Sequence, residues 1–335
     1  MKKPDGKTAP GAAMAALAAL LLLSAAVSVR LGRYPISLRE AGAILFSAGP
    51  ADGVKRALLL YDRLPRIVLA LLVGGCLSAA GAAYQGVFQN PMAAPDILGA
   101  SSGAGFGAAL GILLGFGGVG VMGSAFLAGI GAVALVLYLG RRARGKQGLG
   151  LILAGIMVGS LASSATSFLK LAADPANQLP AITYWLMGSL NGRKWKAILL
   201  AAIPMAAGLA GLFALRWRIN LLTLDDDEAR AMGVHVPYLR GLAVLCATLL
   251  TAAAVSISGM IGWVGLVIPH LARRLVGSNY QYLLPASVLM GASFLLWADN
   301  LSRLLLPSEI PVGILTALIG APFFLCLMLG KEERT

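Results

Sequence analysis

The chain has 335 residues, 58% of them hydrophobic and 12% charged, with a mean hydropathy of +0.82 and a formal net charge of +13. A soluble domain carries about 25% charged residues, so this composition argues against a water-soluble protein and points to lipid as the solvent. The basic excess sits on the flanks of apolar runs and forms no basic soluble domain, which argues against nucleic acid as a partner.

A helix needs about 20 apolar residues to cross a bilayer. Segments of that kind fall at 11–29, 63–86, 98–117, 119–140, 149–171, 197–215, 238–259, 260–275, 281–304 and 311–330. The expected fold is therefore a single all-α polytopic membrane domain over 1–335 with about ten spans. Segment 260–275 is short and carries Pro269, His270, Arg273 and Arg274 near its end. Segment 1–29 also has the features of a signal peptide: a basic start, an apolar core and small residues near Ala25 and Ala26. Its length suits a span, and the even count is then kept. Ten spans put both termini on one side. Basic residues at 1–7, 141–146, 216–218, Arg273, Arg274 and 331–335 make that side cytoplasmic by the positive-inside rule. The frequent glycines, 42 in all, suit close packing of membrane helices. "AGAAYQGVFQNP" at 80–91 echoes "SGMIGWVGLVIP" at 258–269, with proline ten residues after glycine in both. Paired halves of this kind are common in transporters.

Catalytic chemistry is thin. "DGKT" at 5–8 contains Gly-Lys-Thr, but a phosphate loop would need its first glycine where Met1 stands, after a strand. ATP, if used, belongs to another chain. Cys76, Cys246 and Cys326 are far apart inside apolar runs and read as buried small hydrophobes. His235 and His270 are isolated, so no metal site and no cofactor is expected. Charge at the bilayer centre costs about 2.5–3.5 kcal/mol and usually marks function. Asp96 sits in a Pro/Gly-rich bend, and Lys170, Asp299 and Arg303 fall near helix ends. This scarcity argues against an ion-coupled carrier and against a membrane enzyme.

The loop "DDDEARAMGVHVP" at 225–237 holds four of the 14 acidic residues. Acids lead into the helix formers Glu228 to Met232, and Gly233 and Pro237 supply the stop. Taken alone, this is a capped surface helix or a helix that docks into a soluble partner.

"EARAMG" at 228–233 resembles the coupling helix of an ABC importer permease. "RLPR" at 63–66, "YQGVFQNPMAAPDILGASSGAGFG" at 84–107, "GWVGLVIPHLARRLVG" at 262–277, "YLLPASVLMGASFLLWAD" at 282–299 and "EIPVGILTALIGAPFF" at 309–324 resemble the FecCD type. That family carries iron–siderophores, haem, vitamin B12 and related chelates. Phe is more frequent where this chain has Trp263.

The resemblance implies a type II importer permease with two inverted repeats, homodimeric, in the cytoplasmic (inner) membrane. It implies two ATPase subunits, which bring ATP and magnesium, and a binding protein on the outer face. Glu228, Ala229, Arg230 and Gly233, within a loop of about 219–237, would contact the ATPase. Asn90, Pro91, Gly99, Pro269, His270 and Pro311 mark the family's bends. Spans 149–171 and 311–330 would line the pathway. An excess of outer basic residues is expected: Arg30, Arg33, Arg39, Lys55, Arg56, Arg63, Arg66, Lys170, Arg193, Lys194, Lys196 and Arg303. Among them Arg63, Arg66 and Arg303 would pair with glutamates of an acidic binding protein. Ferric siderophore is the leading cargo; haem, cobalamin and molybdate or tungstate are alternatives.

Overall fold

The computed structural model describes residues 10–32, 34–46, 53–142, 147–306 and 308–329. The basic stretches at 1–7 and 331–335, Arg33 and the tract 143–146 lie outside them. No strand occurs among the described residues. The helices in chain order are α1 (Pro10–Arg30), α2 (Leu38–Leu45), α3 (Gly53–Leu58), α4 (Leu64–Val87), α5 (Ala100–Leu113), α6 (Gly118–Arg142) and α7 (Gln147–Ala172). Then come α8 (Gln178–Leu186), α9 (Trp195–Ile219), α10 (Asp226–Ala231), α11 (Val236–Ser258), α12 (Val264–Val276), α13 (Tyr280–Leu304) and α14 (Val312–Leu329). A π-helical turn, Leu59–Arg63, joins α3 to α4, and a 3-10 turn, Asn220–Thr223, follows α9.

Each of the ten apolar segments contains one of these helices. Among the described residues, seven helical runs are long and apolar enough to cross a membrane. Three of the ten expected segments are outside these seven: 311–330, whose apolar helix is counted over Val312–Cys326 only, and 98–117 and 260–275, which are not full spans. Their helices, α5 and α12, have 14 and 13 residues. At 1.5 Å per residue each is about 20 Å long, short of a core about 30 Å thick. Left-handed backbone explains the breaks: Gly99 (φ +74°) starts α5, while Gly259 (φ +72°) and Trp263 (φ +70°) separate α11 from α12. Irregular backbone at membrane depth must be satisfied by protein. Here Ser189 N–H donates to the Ser258 carbonyl at 2.7 Å.

The sequence echo has no matching local structure. Gly81 lies inside α4 and Pro91 in a turn, whereas Gly259 ends α11 and Pro269 lies inside α12.

Helix α4 is the centre of the bundle and packs on α13, α11 and α12. Lipid tails are as apolar as leucine, so helix association in a membrane depends on close van der Waals approach. Glycine provides it. A methyl group on Gly74 would lie 2.2 Å from the Gly291 carbonyl oxygen of α13, and one on Gly81 1.8 Å from that of Gly265 of α12. Helix α1 packs on α13: Trp297 Nε1 donates to Ser24 Oγ at 3.0 Å, and Ser28 Oγ to Asn300 Oδ1 at 2.8 Å. Met157, Leu161, Ile203 and Leu318 stand exposed on the outside of α7, α9 and α14, as lipid or a second chain requires. Cys76 and Cys246 are buried as expected. Cys326 is exposed, because the described part of α14 has few neighbours.

Candidate functional site

The two ends of the bundle and the space between them each hold candidate residues. At one end the chain leaves α9 through its 3-10 turn and forms α10. Asp226, Asp227 and Glu228 occupy the first turn, where the helix dipole favours acids. The N-cap is Asp225, but its side chain makes no capping hydrogen bond, contrary to the capped helix the sequence suggests. Instead, Asp226 is held by Arg240 of α11 at 2.9 Å, and Asp227 by Arg230 at 3.2 Å. Ala229 is buried against the bundle, while Glu228 and Arg230 face outward. Gly233 (φ +79°) terminates the helix, with its N–H on the Arg230 carbonyl and Val234 N–H on that of Ala229. The four residues singled out in this loop are therefore one compact feature: a buried foot, two outward charges and a glycine stop.

At the opposite end, Arg63, Arg66 and Arg303 are brought together, but not as exposed side chains. All three are buried. Arg66 Nε donates to both oxygens of Asp299, at 2.8 and 3.0 Å, and its Nη1 to Glu309 Oε2 at 2.9 Å. Arg303 Nε lies 3.4 Å from Asp299 Oδ2, one helical turn away in α13. Arg63 sits on the π-helical turn and donates to the carbonyls of Val29 and Tyr34, so it fastens the α1–α2 connection. Trp195 Nε1 of α9 donates to the Leu60 carbonyl of the same turn at 2.9 Å. Sequence reasoning placed Asp299 near a helix end but missed its pairing and did not single out Glu309. The Asp299–Arg303 spacing of four was the available signal.

Between the ends, the linker 88–99 runs back into the bundle. Asn90 Oδ1 accepts from Met92 N at 2.9 Å, a side-chain turn that suits the following Pro91. Asp96 Oδ1 accepts from Ser101 N at 3.0 Å and so serves the start of α5. A cavity of about 500 Å³ lies where Asp96, Gly99 and Ser102 face Gly155, Gly159, Ser160 and Ser163 of α7. A smaller one, of about 100 Å³, joins Asp96 to Met260 and Trp263. Trp263 also meets α14: a methyl on Gly320 would lie 2.5 Å from its Cβ. Of the remaining motif residues, Pro269 is buried inside α12, His270 is half-buried there, and Pro311 precedes α14 with its carbonyl on Ile314 N–H. Among the described residues no group of three or more His, Cys, Asp or Glu side chains is placed to hold a metal.

These features define an integral membrane protein with a polar helix between two spans and broken helices beside an open cavity. Residues 20–330 match the FecCD transport family, and the chain belongs to that family. It is 43% identical over 311 residues to the molybdate import system permease protein MolB of Haemophilus influenzae, covering 92% of each chain. It is 36% identical over 338 residues to the hemin transport system permease protein HmuU of Yersinia pestis, covering 98% of this chain and 99% of that one. A solved metal-chelate type ABC transporter in an inward-facing conformation superposes with a TM-score of 0.86 at 42% identity, over 94% of this chain and 98% of that one. The all-helical fold is that of an ABC importer permease.

Proposed function

We propose that the chain is the permease subunit of an ATP-driven importer for a metal chelate, with ferric siderophore as the leading cargo. It carries no cofactor; ATP and magnesium are bound by two separate ATPase subunits. It works as a homodimer in the cytoplasmic membrane with both termini inside, and receives cargo from an acidic binding protein outside. The observation that carries this reading is α10: a polar, outward helix on a buried foot, set between two spans of a very apolar chain. Such a helix suits a cleft on a soluble motor. The cavity walled by glycine and serine along α7 suits a bulky chelate that must pass without sticking.

Docking of the binding protein at the Arg66 end is part of the same reading. Arg66 Nη2 is buried without a partner there, and a glutamate from the binding protein could complete it. Molybdate or tungstate is the second reading for the cargo, favoured by the extent of similarity to the molybdate permease.

The test is reconstitution of the permease with its ATPase in proteoliposomes, supplied with binding protein whose co-purified ligand has been identified by mass spectrometry. Uptake that needs ATP supports the reading. Uptake driven by an ion gradient without ATP would make it an ion-coupled carrier.

A further inference from the structure

Helix α4 ends in a Schellman turn. Asn90 N–H donates to the Gln85 carbonyl at 3.1 Å, and Gln89 N–H to the Gly86 carbonyl at 3.3 Å. The residue that turns left-handed is Gln89, at φ +50°. Helix α10 ends in the same motif, but there Gly233 takes the left-handed position. Glycine does so without penalty, whereas a Cβ disfavours it. Something other than local backbone preference must therefore account for glutamine at this turn.

Its side chain provides the reason. Gln89 Nε2 donates to the carbonyls of Leu222 at 3.0 Å and Leu224 at 2.6 Å. Leu222 belongs to the 3-10 turn, and Leu224 immediately precedes Asp225, the N-cap of α10. The end of α4 is thus tied by one amide to the base of α10. Beyond Gln89 the linker is stiffened by Pro91, Pro95 and a run of turns: Ala93 N–H on Asn90, Ile97 N–H on Ala94, Gly99 N–H on Asp96. It then abuts two other elements. A methyl on Gly155 of α7 would lie 2.2 Å from the Ile97 carbonyl oxygen, and one on Gly265 of α12 2.1 Å from Pro95 Cγ. The linker cannot shift without moving against α7 and α12, whose Gly155 and Gly265 line the two cavities beside it.

We propose that Gln89 is a positioning residue that transmits displacement of α10 to the 88–99 linker, and through it to the start of α5 and to α7. A second tie, Asn220 to Asn279 and Tyr280 at the start of α13, holds the same 3-10 turn independently. The inference rests on α10 being the ATPase docking helix.

The experiment is hydrogen exchange by mass spectrometry on the full-length permease, alone and with its ATPase trapped by magnesium, ATP and vanadate. In the wild type, exchange should change both at 219–235 and at 88–102. Gln89→Gly suits the left-handed turn, so its thermal midpoint should equal or exceed wild type. In this variant the change at 219–235 should persist while that at 88–102 is lost. Asn220→Ala should keep both. An undiminished change at 88–102 in Gln89→Gly overturns the proposal, as does a wild type that responds only at 219–235. A wild type silent at 219–235 removes the docking reading and this inference with it.

Discussion

Arg66 on α4 clamps Asp299 on α13 with its Nε 2.8 and 3.0 Å from the two carboxylate oxygens, and Asp299 has no exposed surface. Removing one partner of such a pair leaves an uncompensated buried charge and costs about 3–5 kcal/mol, whereas replacing both with apolar residues is often neutral. Asp299→Ala should therefore lower the thermal midpoint of the purified permease sharply. The double variant Arg66→Met with Asp299→Leu should recover part of that loss, because Arg303 and Glu309 then lose these partners as well. A single variant as stable as wild type would mean that the pair is not formed in the membrane.

The α4–α13 contact predicts an equally specific defect. Gly74 and Gly291 face each other so closely that a methyl on either meets the other's carbonyl oxygen, at 2.2 and 2.4 Å. Overpacking of this kind costs about 1–3 kcal/mol or more, because backbone must move. Gly74→Ala and Gly291→Ala should each reduce the folded yield and the thermal midpoint. Gly123→Ala, on α6 with nothing near its missing Cβ, is the control and should behave as wild type.

For α10, Gly233→Val places a β-branched residue at φ +79°, where it is a genuine outlier. The strain should disrupt the end of α10 while the spans stay folded. Glu228→Lys reverses an exposed charge without touching the buried Ala229. Both variants should retain their thermal midpoints and lose co-purification with the ATPase. Undiminished assembly with both would sink the assignment of α10 as the dock.

The short helix α2 carries a pH signature. Glu40 closes a capping box on Ser37 and pairs with Lys55. The Lys55 hydrogen bond, followed by the Ser37 backbone N–H, holds its carboxyl down from 4.5 to about 2. A depressed carboxylate stabilises above its unfolded pKa and loses that contribution as pH falls through the folded value. Amide protection in α2 should therefore decline between about 4.5 and about 2, beyond the intrinsic pH dependence of exchange. In Glu40→Gln the decline should vanish.

Much of this architecture was legible in the sequence because lipid imposes a simple rule of long apolar runs, and each expected run holds a helix. The half-span at 260–275 was legible only as a short run, and that at 98–117 not at all, since an apolar run does not show where its helix starts and stops. Trp263 at φ +70° gives no hint of a break in its residue type. The outward α10 was readable from acids followed by helix formers and glycine. The pairing of Arg66 with Asp299 was not, because their contact spans 233 residues of chain. The same holds for Gln89, whose partners lie more than 130 residues away.

The burial of Arg63, Arg66 and Arg303 changes what a docking experiment must vary. Reversing Arg66 would set a glutamate beside Asp299 and Glu309 and unfold this end of the bundle, so lost binding would be uninformative. Among the described residues, the basic residues exposed at this end are Arg30, at the end of α1, and a group of four: Arg39, Arg56, Lys194 and Lys196. Complementary charge acts mainly on the association rate and is screened by salt. A single exposed pair is worth only about 0–1 kcal/mol, so one reversal should show little. Reversing all four to Glu should slow association of an acidic binding protein by at least about tenfold at low salt and flatten the salt dependence, with the dissociation rate little changed. Arg303→Gln keeps a polar side chain near Asn300 and removes one buried cation. If the binding protein inserts a carboxylate at this cluster, that variant should instead raise the dissociation rate. The measurement is surface binding kinetics on permease in nanodiscs at low and high salt, with thermal midpoints confirming that each variant is folded. If the fourfold reversal leaves the rate and its salt dependence unchanged, and Arg303→Gln leaves dissociation unchanged, the binding protein does not dock at this end.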